Sequence, residues 1–404
     1  MNGPSIGPLP PLALYAHFPW CVAKCPYCDF NSFALQGSLP EAQYIEALQR
    51  DLDSQLVTLD SEQAGGRPIV SIFLGGGTPS LFSPDAIGGW LTSLRQRLTL
   101  ADDVEITLEA NPGTIERGRF AGYRDAGITR VSLGAQSFGA AQLRALGRIH
   151  NADETRRAAE ELHAAGLTNF NIDLMYALPD QSIDAALYDI DQALALQPAH
   201  LSHYQLTLEV GTPFAARPPP NLPEDDTAEQ MLAECLPRLE ANGFRRYEVS
   251  AYAKVGAQCR HNLNYWRFGD YLGIGAGAHG KVTSRISGAA DARTDGVRIR
   301  RSTQLREPRR YLGAVPQALQ STWVEPEQLP FEFMLNGLRL LEGFGREDFE
   351  RGTGLPWQQV EATVQDLCQR GLLESGESRV RPSARGLAFL NDALVQFLPD
   401  KTET

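Results

Sequence analysis

The sequence predicts an α/β protein built on a parallel sheet, followed by a smaller, mostly helical C-terminal unit. Three observations lead there. Short apolar runs alternate with stretches of helical period, and six such strand–helix units fit before residue 206. Polar and glycine-rich residues repeatedly follow the strand ends, the rim on which α/β barrels build their sites. From about Glu327 the texture changes to helices with one short β-like stretch.

Taken in order, Leu12 to Phe18 is the first apolar strand. Pro40 to Leu59 reads as a helix, with Tyr44, Leu48, Leu52 and Leu56 on one face. Ile69 to Leu74 is a strand ending in Gly75-Gly76-Gly77-Thr78-Pro79, and a helix from about Pro84 to Leu98 follows. Val104 to Leu108 ends at Glu109, and Arg130 to Leu133 ends at Gly134-Ala135-Gln136. A helix spans about Ala152 to Ala165. The strand Phe170 to Met175 carries Asp173, the helix Ile183 to Leu196 follows, and His200 to Leu206 is the next strand. Arg217 to Pro223, with four prolines, is a linker by composition. Beyond it, Thr227 to Asn242 is helical, Tyr247 to Tyr252 strand-like, and glycines concentrate between Gly269 and Gly280. Phe331 to Leu341, Trp357 to Arg370 and Leu387 to Phe397 read as helices around a β-like Arg379-Val380, a winged-helix pattern. The expected division is 1–220, 221–325 and 326–404.

Composition is ordinary for a globular protein, with 43% apolar and 21% charged residues. No apolar run reaches the length of a spanning helix. The first fourteen residues lack Lys and Arg and resemble neither a signal peptide nor a basic targeting arm. Sparse, clustered cysteine in such a chain points to a reducing cytosol. A net charge of −12 argues against general nucleic-acid affinity. Arg298, Arg300, Arg301, Arg306, Arg309 and Arg310 form one basic stretch, read as a solvated loop.

Three of the six cysteines, Cys21, Cys25 and Cys28, fall within eight residues after the first strand. Thiolates favour zinc or iron–sulfur clusters over hard cations. A disulfide between two of them would leave the third over. C-x3-C-x2-C is not a ferredoxin spacing, and three sulfurs on a cubane leave one iron open to a small ligand. The other reading is zinc, with His17, Cys21, Cys25 and Cys28 closing a tetrahedron.

The C-x3-C-x2-C loop, with aromatic Tyr27 just before the last cysteine, resembles the radical S-adenosylmethionine (SAM) superfamily. The resemblance implies a partial (β/α)6 barrel, a [4Fe-4S] cluster on Cys21, Cys25 and Cys28, and SAM chelated at the open iron and cleaved to a 5′-deoxyadenosyl radical. It also implies that Gly76, Gly77 and Thr78 hold the amino-acid end of SAM, with Tyr27, Glu109, Gln136, Arg148 and Asp173 around the cofactors. By chemistry, an Arg pairs with a carboxylate and an Asp accepts ribose hydroxyls.

A narrower resemblance rests on Tyr15-Ala16-His17-Phe18-Pro19-Trp20-Cys21, Cys25-Pro26-Tyr27-Cys28-Asp29-Phe30, Leu146-Gly147-Arg148-Ile149-His150-Asn151 and His261-Asn262-Leu263-Asn264-Tyr265-Trp266. Together these are similar to the HemW haem chaperones, relatives of the oxygen-independent coproporphyrinogen III dehydrogenase. By that resemblance Tyr15, Gly76 and Glu109 contact one SAM. Gly77, Thr78, Gln136, Arg148 and Asp173 match positions that contact a second SAM in the dehydrogenase. Two departures set the chain apart from that enzyme: Phe30 stands where it has a further cysteine, and little precedes Leu12 where it has an extension. The implied function is a cytosolic chaperone that binds haem and delivers it to respiratory cytochromes or oxidases, touching membranes only through those recipients. A homodimer is left open. Among haem ligands, His261 ranks first, because imidazole is the commonest axial ligand, with Cys259 and His279 behind it. The rival readings are radical decarboxylation of a porphyrinogen propionate and a winged-helix DNA regulator.

Overall fold

The computed structural model describes residues 8–61, 65–114, 118–285, 296–317, 319–376 and 378–399. Strands β1 (Leu12–Phe18), β2 (Ile69–Gly76), β3 (Leu100–Ala110), β4 (Arg130–Gln136), β5 (Phe170–Tyr176) and β6 (His200–Gln205) lie side by side in chain order. Each pairs with the next in parallel. Parallel neighbours require a crossover. Here it is helical: α1 (Glu41–Ser61), α2 (Pro84–Arg97), α3 (Arg119–Ala126), α4 (Ala152–Ala164) and α5 (Ile183–Ala195). A sixth helix, α6 (Asp225–Ala241), packs on α5.

The helix starts are written in the sequence. Ser83 accepts a bond from the Ala86 N–H just ahead of Pro84, and Asn151 with Glu154 forms a reciprocal capping box. The strands read as near-continuous apolar runs because helices and loops cover both faces of the sheet. In β1, Leu12, Leu14, Ala16 and Phe18 are all buried.

Among the described residues the six-strand set stays open. Beyond β6 runs an antiparallel strand, Ala251–Ala253. On the other side β1 pairs in parallel with β7 (Asp270–Ile274). The antiparallel strands β8 (His279–Arg285), β9 (Val297–Thr303) and β10 (Gln320–Trp323) follow. The result is a partial (β/α)6 barrel extended at both edges, as the sequence led us to expect.

The glycine-rich span from Gly269 to Gly280 holds β7 and the turn into β8. A Cβ on Gly273 would sit 1.8 Å from the His279 carbonyl oxygen, so glycine is there to let the two strands touch. Three local expectations fail in whole or in part. Of the expected strand Tyr247 to Tyr252, only Ala251 and Tyr252 are strand; Tyr247 to Ser250 is a tight turn from Arg245–Arg246, held by the Arg246 guanidinium on the Glu248 and Val249 carbonyls. The basic stretch is no solvated loop: Arg298, Arg300 and Arg301 belong to β9, where Val297 and Ile299 are buried and Arg298 lies 3.9 Å from the Trp323 ring centre. Leu387 to Phe397 is interrupted at Phe389, giving Ala384–Ala388 and Leu390–Leu394. Helix α3 had no strong periodicity and went unread. It is framed by Gly118 and Gly127, both left-handed.

The C-terminal unit runs helix α8 (Leu329–Gly337), strand β11 (Phe344–Gly345), helices α9 (Arg346–Thr353) and α10 (Gln358–Gln369), then strands β12 (Leu373–Ser375) and β13 (Arg379–Pro382). That order, with β11 and β12 both paired to β13, is the winged-helix pattern. Its core of Phe333, Phe344, Phe349, Trp357 and Leu367 includes Phe268 and Ile299 from the main body, so the unit docks on the sheet extension.

Candidate functional site

The C-terminal strand ends open on a cavity of about 520 Å³. Cys21, Cys25 and Cys28 line one side. Tyr15, Gly76, Glu109, Gln136 and Asp173, from β1 through β5, line the rest, with Tyr27 and Arg148 from the loops and Tyr204 from β6. The sequence-predicted residues are thus brought together, with one exception. Thr78 is 1% exposed and lies in a small adjoining cleft behind the cysteine loop. Its hydroxyl accepts a bond from Asn111 Nδ2 at 2.8 Å.

All three cysteine thiols are free and partly exposed. Burial pushes the Cys21 and Cys28 thiols up, a cost that iron ligation would cancel by stabilising the thiolate. Arg148 Nη1 points at Cys25 Sγ from 3.6 Å, and its Nη2 donates to the Gly134 carbonyl at 2.6 Å and to Asn111. Zinc fares poorly. His17 is 4% exposed, with Nε2–H donating to the Asn31 carbonyl and Nδ1 accepting from the Tyr15 hydroxyl, both at 2.9 Å. Among the described residues no group of three His, Cys, Asp or Glu side chains is placed to hold one metal ion. Thiols spread around a cavity mouth suit a cubane, which offers a separate iron to each.

The glycine run serves through its backbone shape. Its N–H groups are already taken: Gly76 donates to Glu109 Oε2 at 2.9 Å, Gly77 to the Phe18 carbonyl at 2.8 Å and Thr78 to the Trp20 carbonyl at 2.7 Å. What the glycines provide is close approach. Gly76 has φ +106° and packs under the His17 ring, where a Cβ would come within 2.2 Å. Gly76→Ala is therefore expected to cost about 2 kcal/mol or more, through strain at positive φ plus displacement of His17. A urea melt checks it, and an unchanged midpoint would contradict the packing.

Two of the lining residues carry buried polar atoms without a partner. Gln136, itself at φ +67°, leaves Oε1 buried without a partner, as does Arg148 with Nε. Burial, opposed by the Gly76 N–H, raises the Glu109 carboxyl to about 7. An ammonium group brought into the cavity would pull it back to the carboxylate. Asp173 accepts from Ser132 Oγ at 3.1 Å and Asn171 Nδ2 at 2.7 Å, which fixes its orientation. Unpaired donors and acceptors beside three thiols fit an amino-acid nucleoside bound next to a cluster.

His261 sits on helix α7 (Arg260–Trp266), in the cavity wall, 1% exposed. Its Nδ1 bonds Ser71 Oγ at 2.9 Å and its Nε2 bonds Tyr265 Oη at 2.8 Å, while burial lowers its pKa to about 3. Both nitrogens are engaged, so iron binding would require one of these bonds to open. Cys259 does not face the cavity. It is 0% exposed, its thiol pushed up to about 12 by burial, and it donates to Glu105 Oε1. Arg130 was missed. It is 2% exposed in the cavity wall with Nε unpartnered, and as the first residue of an apolar strand it gave no motif to read.

A second, more open cavity of about 650 Å³ adjoins the first through Tyr15, Asp29, Phe30, Gly76, Glu109 and Tyr265.

Comparison with known proteins agrees with this geometry. The Radical SAM superfamily matches residues 15–193 and the HemN C-terminal domain matches residues 324–389. The chain is 48% identical to the heme chaperone HemW of Escherichia coli, over 97% of this chain and 99% of that one. It is 35% identical to the mitochondrial radical S-adenosyl methionine domain-containing protein 1 of Mus musculus, over 97% of this chain and 88% of that one. The solved coproporphyrinogen III oxidase HemN of Escherichia coli superposes with a TM-score of 0.77 at 21% identity, covering 97% of this chain and 91% of that one, which shows the shared fold.

Proposed function

The chain belongs to the HemW family of the radical SAM superfamily, and from that premise we propose that it is a haem chaperone holding a [4Fe-4S] cluster and SAM. Cys21, Cys25 and Cys28 would ligate three irons. Bound together, cluster and SAM supply one-electron reducing chemistry at the open iron. Tyr15, Gly76 and Glu109 are assigned to SAM, with Glu109 accepting from its ammonium group. Gln136, Arg148 and Asp173 supply acceptors and a cation from the same cavity lining, and Tyr27 flanks the cluster. Gly77 lines the cavity with its N–H spent, and Thr78 backs the cysteine loop from the adjoining cleft.

The observation that carries the reading is three thiols lining one side of a cavity that shares a wall with a second one. Phe30, 57% exposed at the junction, stands where the dehydrogenase carries a further cysteine. This favours a carrier over a decarboxylase. The recipients are haem proteins such as respiratory cytochromes or oxidases, reached from the cytosol. Among the described residues no helix is long and apolar enough to cross a membrane. Packing of the winged-helix unit onto Phe268 and Ile299 supports an internal rather than a DNA-binding role.

Haem titration of the reconstituted protein, followed by transfer to an apo-cytochrome, tests this. Saturable binding and transfer without conversion of coproporphyrinogen III support the chaperone, whereas conversion under anaerobic reducing conditions establishes the decarboxylase. His261→Ala is expected to weaken haem binding with cluster absorbance intact, because Tyr265 loses the partner that holds it in the wall shared by both cavities. An unchanged titration would remove His261 from the haem site.

A further inference from the structure

We propose that haem sits in the second cavity, with His279 Nε2 on the iron and the Arg306 guanidinium on a propionate. This rests on the haem-carrier reading and specifies its site.

His279 opens strand β8 at the cavity edge, and its side chain is exposed. Its Nδ1 bonds Thr303 Oγ1 at 3.2 Å, across the β8–β9 pair. Nε2 has no partner among the described residues. A partner on one ring nitrogen fixes the ring and leaves the other aimed outward, the arrangement that metal-ligating histidines use. His261, with both nitrogens bonded, is the opposite case.

The surroundings suit a porphyrin. Phe30, Tyr265 and Tyr271 supply aromatic surface, with Tyr265 and Tyr271 edge-to-face at 4.5 Å. Arg306 has its Nε on Asn31 Oδ1 at 3.3 Å and forms no ion pair among the described residues. A cation without a carboxylate at the mouth of an aromatic cavity fits a propionate. About 650 Å³ lies within the range that encloses ligands of this class. The carboxylates on the shared wall, Asp29 and Glu109, lie on the side toward the cysteine loop, so iron and propionate face the basic side. Haem there would lie next to the cluster cavity, parted from it by Phe30 and Tyr265.

The test is titration of reconstituted, full-length protein with ferric haem, alongside metal-free protoporphyrin IX. His279→Ala should weaken haem binding at least about tenfold and shift the Soret band, with iron and sulfide content unchanged. Metal-free porphyrin, which lacks the iron bond, should bind both proteins alike. Arg306→Ala should weaken both ligands without shifting the Soret band. His261→Ala should lower affinity while keeping the wild-type spectrum. If His279→Ala binds haem with wild-type affinity and spectrum, the ligand assignment is wrong and the carrier reading stands. If the unsubstituted protein shows no saturable haem binding, both fall.

Discussion

Replacing Cys25 with Ala should strip the reconstituted protein of nearly all its acid-labile sulfide and most of its iron, from about four atoms per chain. The same loss is expected for Cys21→Ala and Cys28→Ala. Cys235→Ala and Cys368→Ala should leave both contents at the wild-type level. The difference follows from placement. Cys25 sits at the cavity mouth with Arg148 Nη1 3.6 Å away, a cation that would offset part of the negative charge of a thiolate-bound cluster. A substitute ligand is not at hand. His17 has both ring nitrogens bonded under Gly76, and Cys235 and Cys259 are 0% exposed with thiols pushed up to about 12. Two remaining thiolates would leave two irons without protein ligands, and such a cluster is readily lost. Metal and sulfide analysis after anaerobic reconstitution decides the matter. Full occupancy of the Cys25→Ala protein would sink the ligand assignment.

The sheet and the cysteine loop were legible because both are local signals. Each parallel strand is apolar enough to be seen alone, and three of the crossover helices carry their own caps, at Ser83, Asn151 and Ser182. The rim residues could be gathered because parallel strands all end on the same side, so Tyr15, Gly76, Glu109 and Gln136 had to converge. What failed depends on partners distant in sequence. Strand β9 looked like part of a basic loop, and its meaning lies in contacts such as Arg298 over Trp323. His261 looked like a ligand because its motif is visible, while Ser71, which holds its Nδ1, lies 190 residues away. The hydrogen-bond partners of the glycine run were likewise out of view, since its N–H groups go to Phe18, Trp20 and Glu109.

Asp270→Ala should destabilise the fold by roughly 3–5 kcal/mol, the cost of stranding buried cations. Asp270 is 0% exposed at the start of β7. Its Oδ1 accepts from Lys281 Nζ at 2.9 Å and Thr283 Oγ1 at 2.8 Å, and its Oδ2 accepts from Arg67 Nη1 at 2.7 Å and the Thr283 N–H at 2.8 Å. Lys281 is 2% exposed, and its Nζ also donates to the Phe268 carbonyl at 2.9 Å. The carboxylate therefore ties β1's outer neighbour to β8 and to the seat of the C-terminal unit. Burial alone would raise its pKa, but Lys281 and Arg67 outweigh that and hold it below the ordinary carboxylate value. The unfolded chain consequently binds the proton first. The pair's contribution is complete above about pH 4 and is lost as pH falls through the depressed folded value. The variant should lack this acid-dependent component. It should gain from alkali instead: burial already lowers the Lys281 pKa, and without Asp270 the amine sheds its proton still more readily in the fold than in the unfolded chain. Adding Lys281→Met should recover part of the loss, because an apolar chain of similar length needs no counter-charge. Urea melts from pH 3 to 10 read all of this. A single-variant loss below about 1 kcal/mol would show that the pair is only structural ornament at a solvated edge. Strand β8, which this pair holds against β7, begins at His279, so in the same variant haem binding should weaken before the cluster is affected.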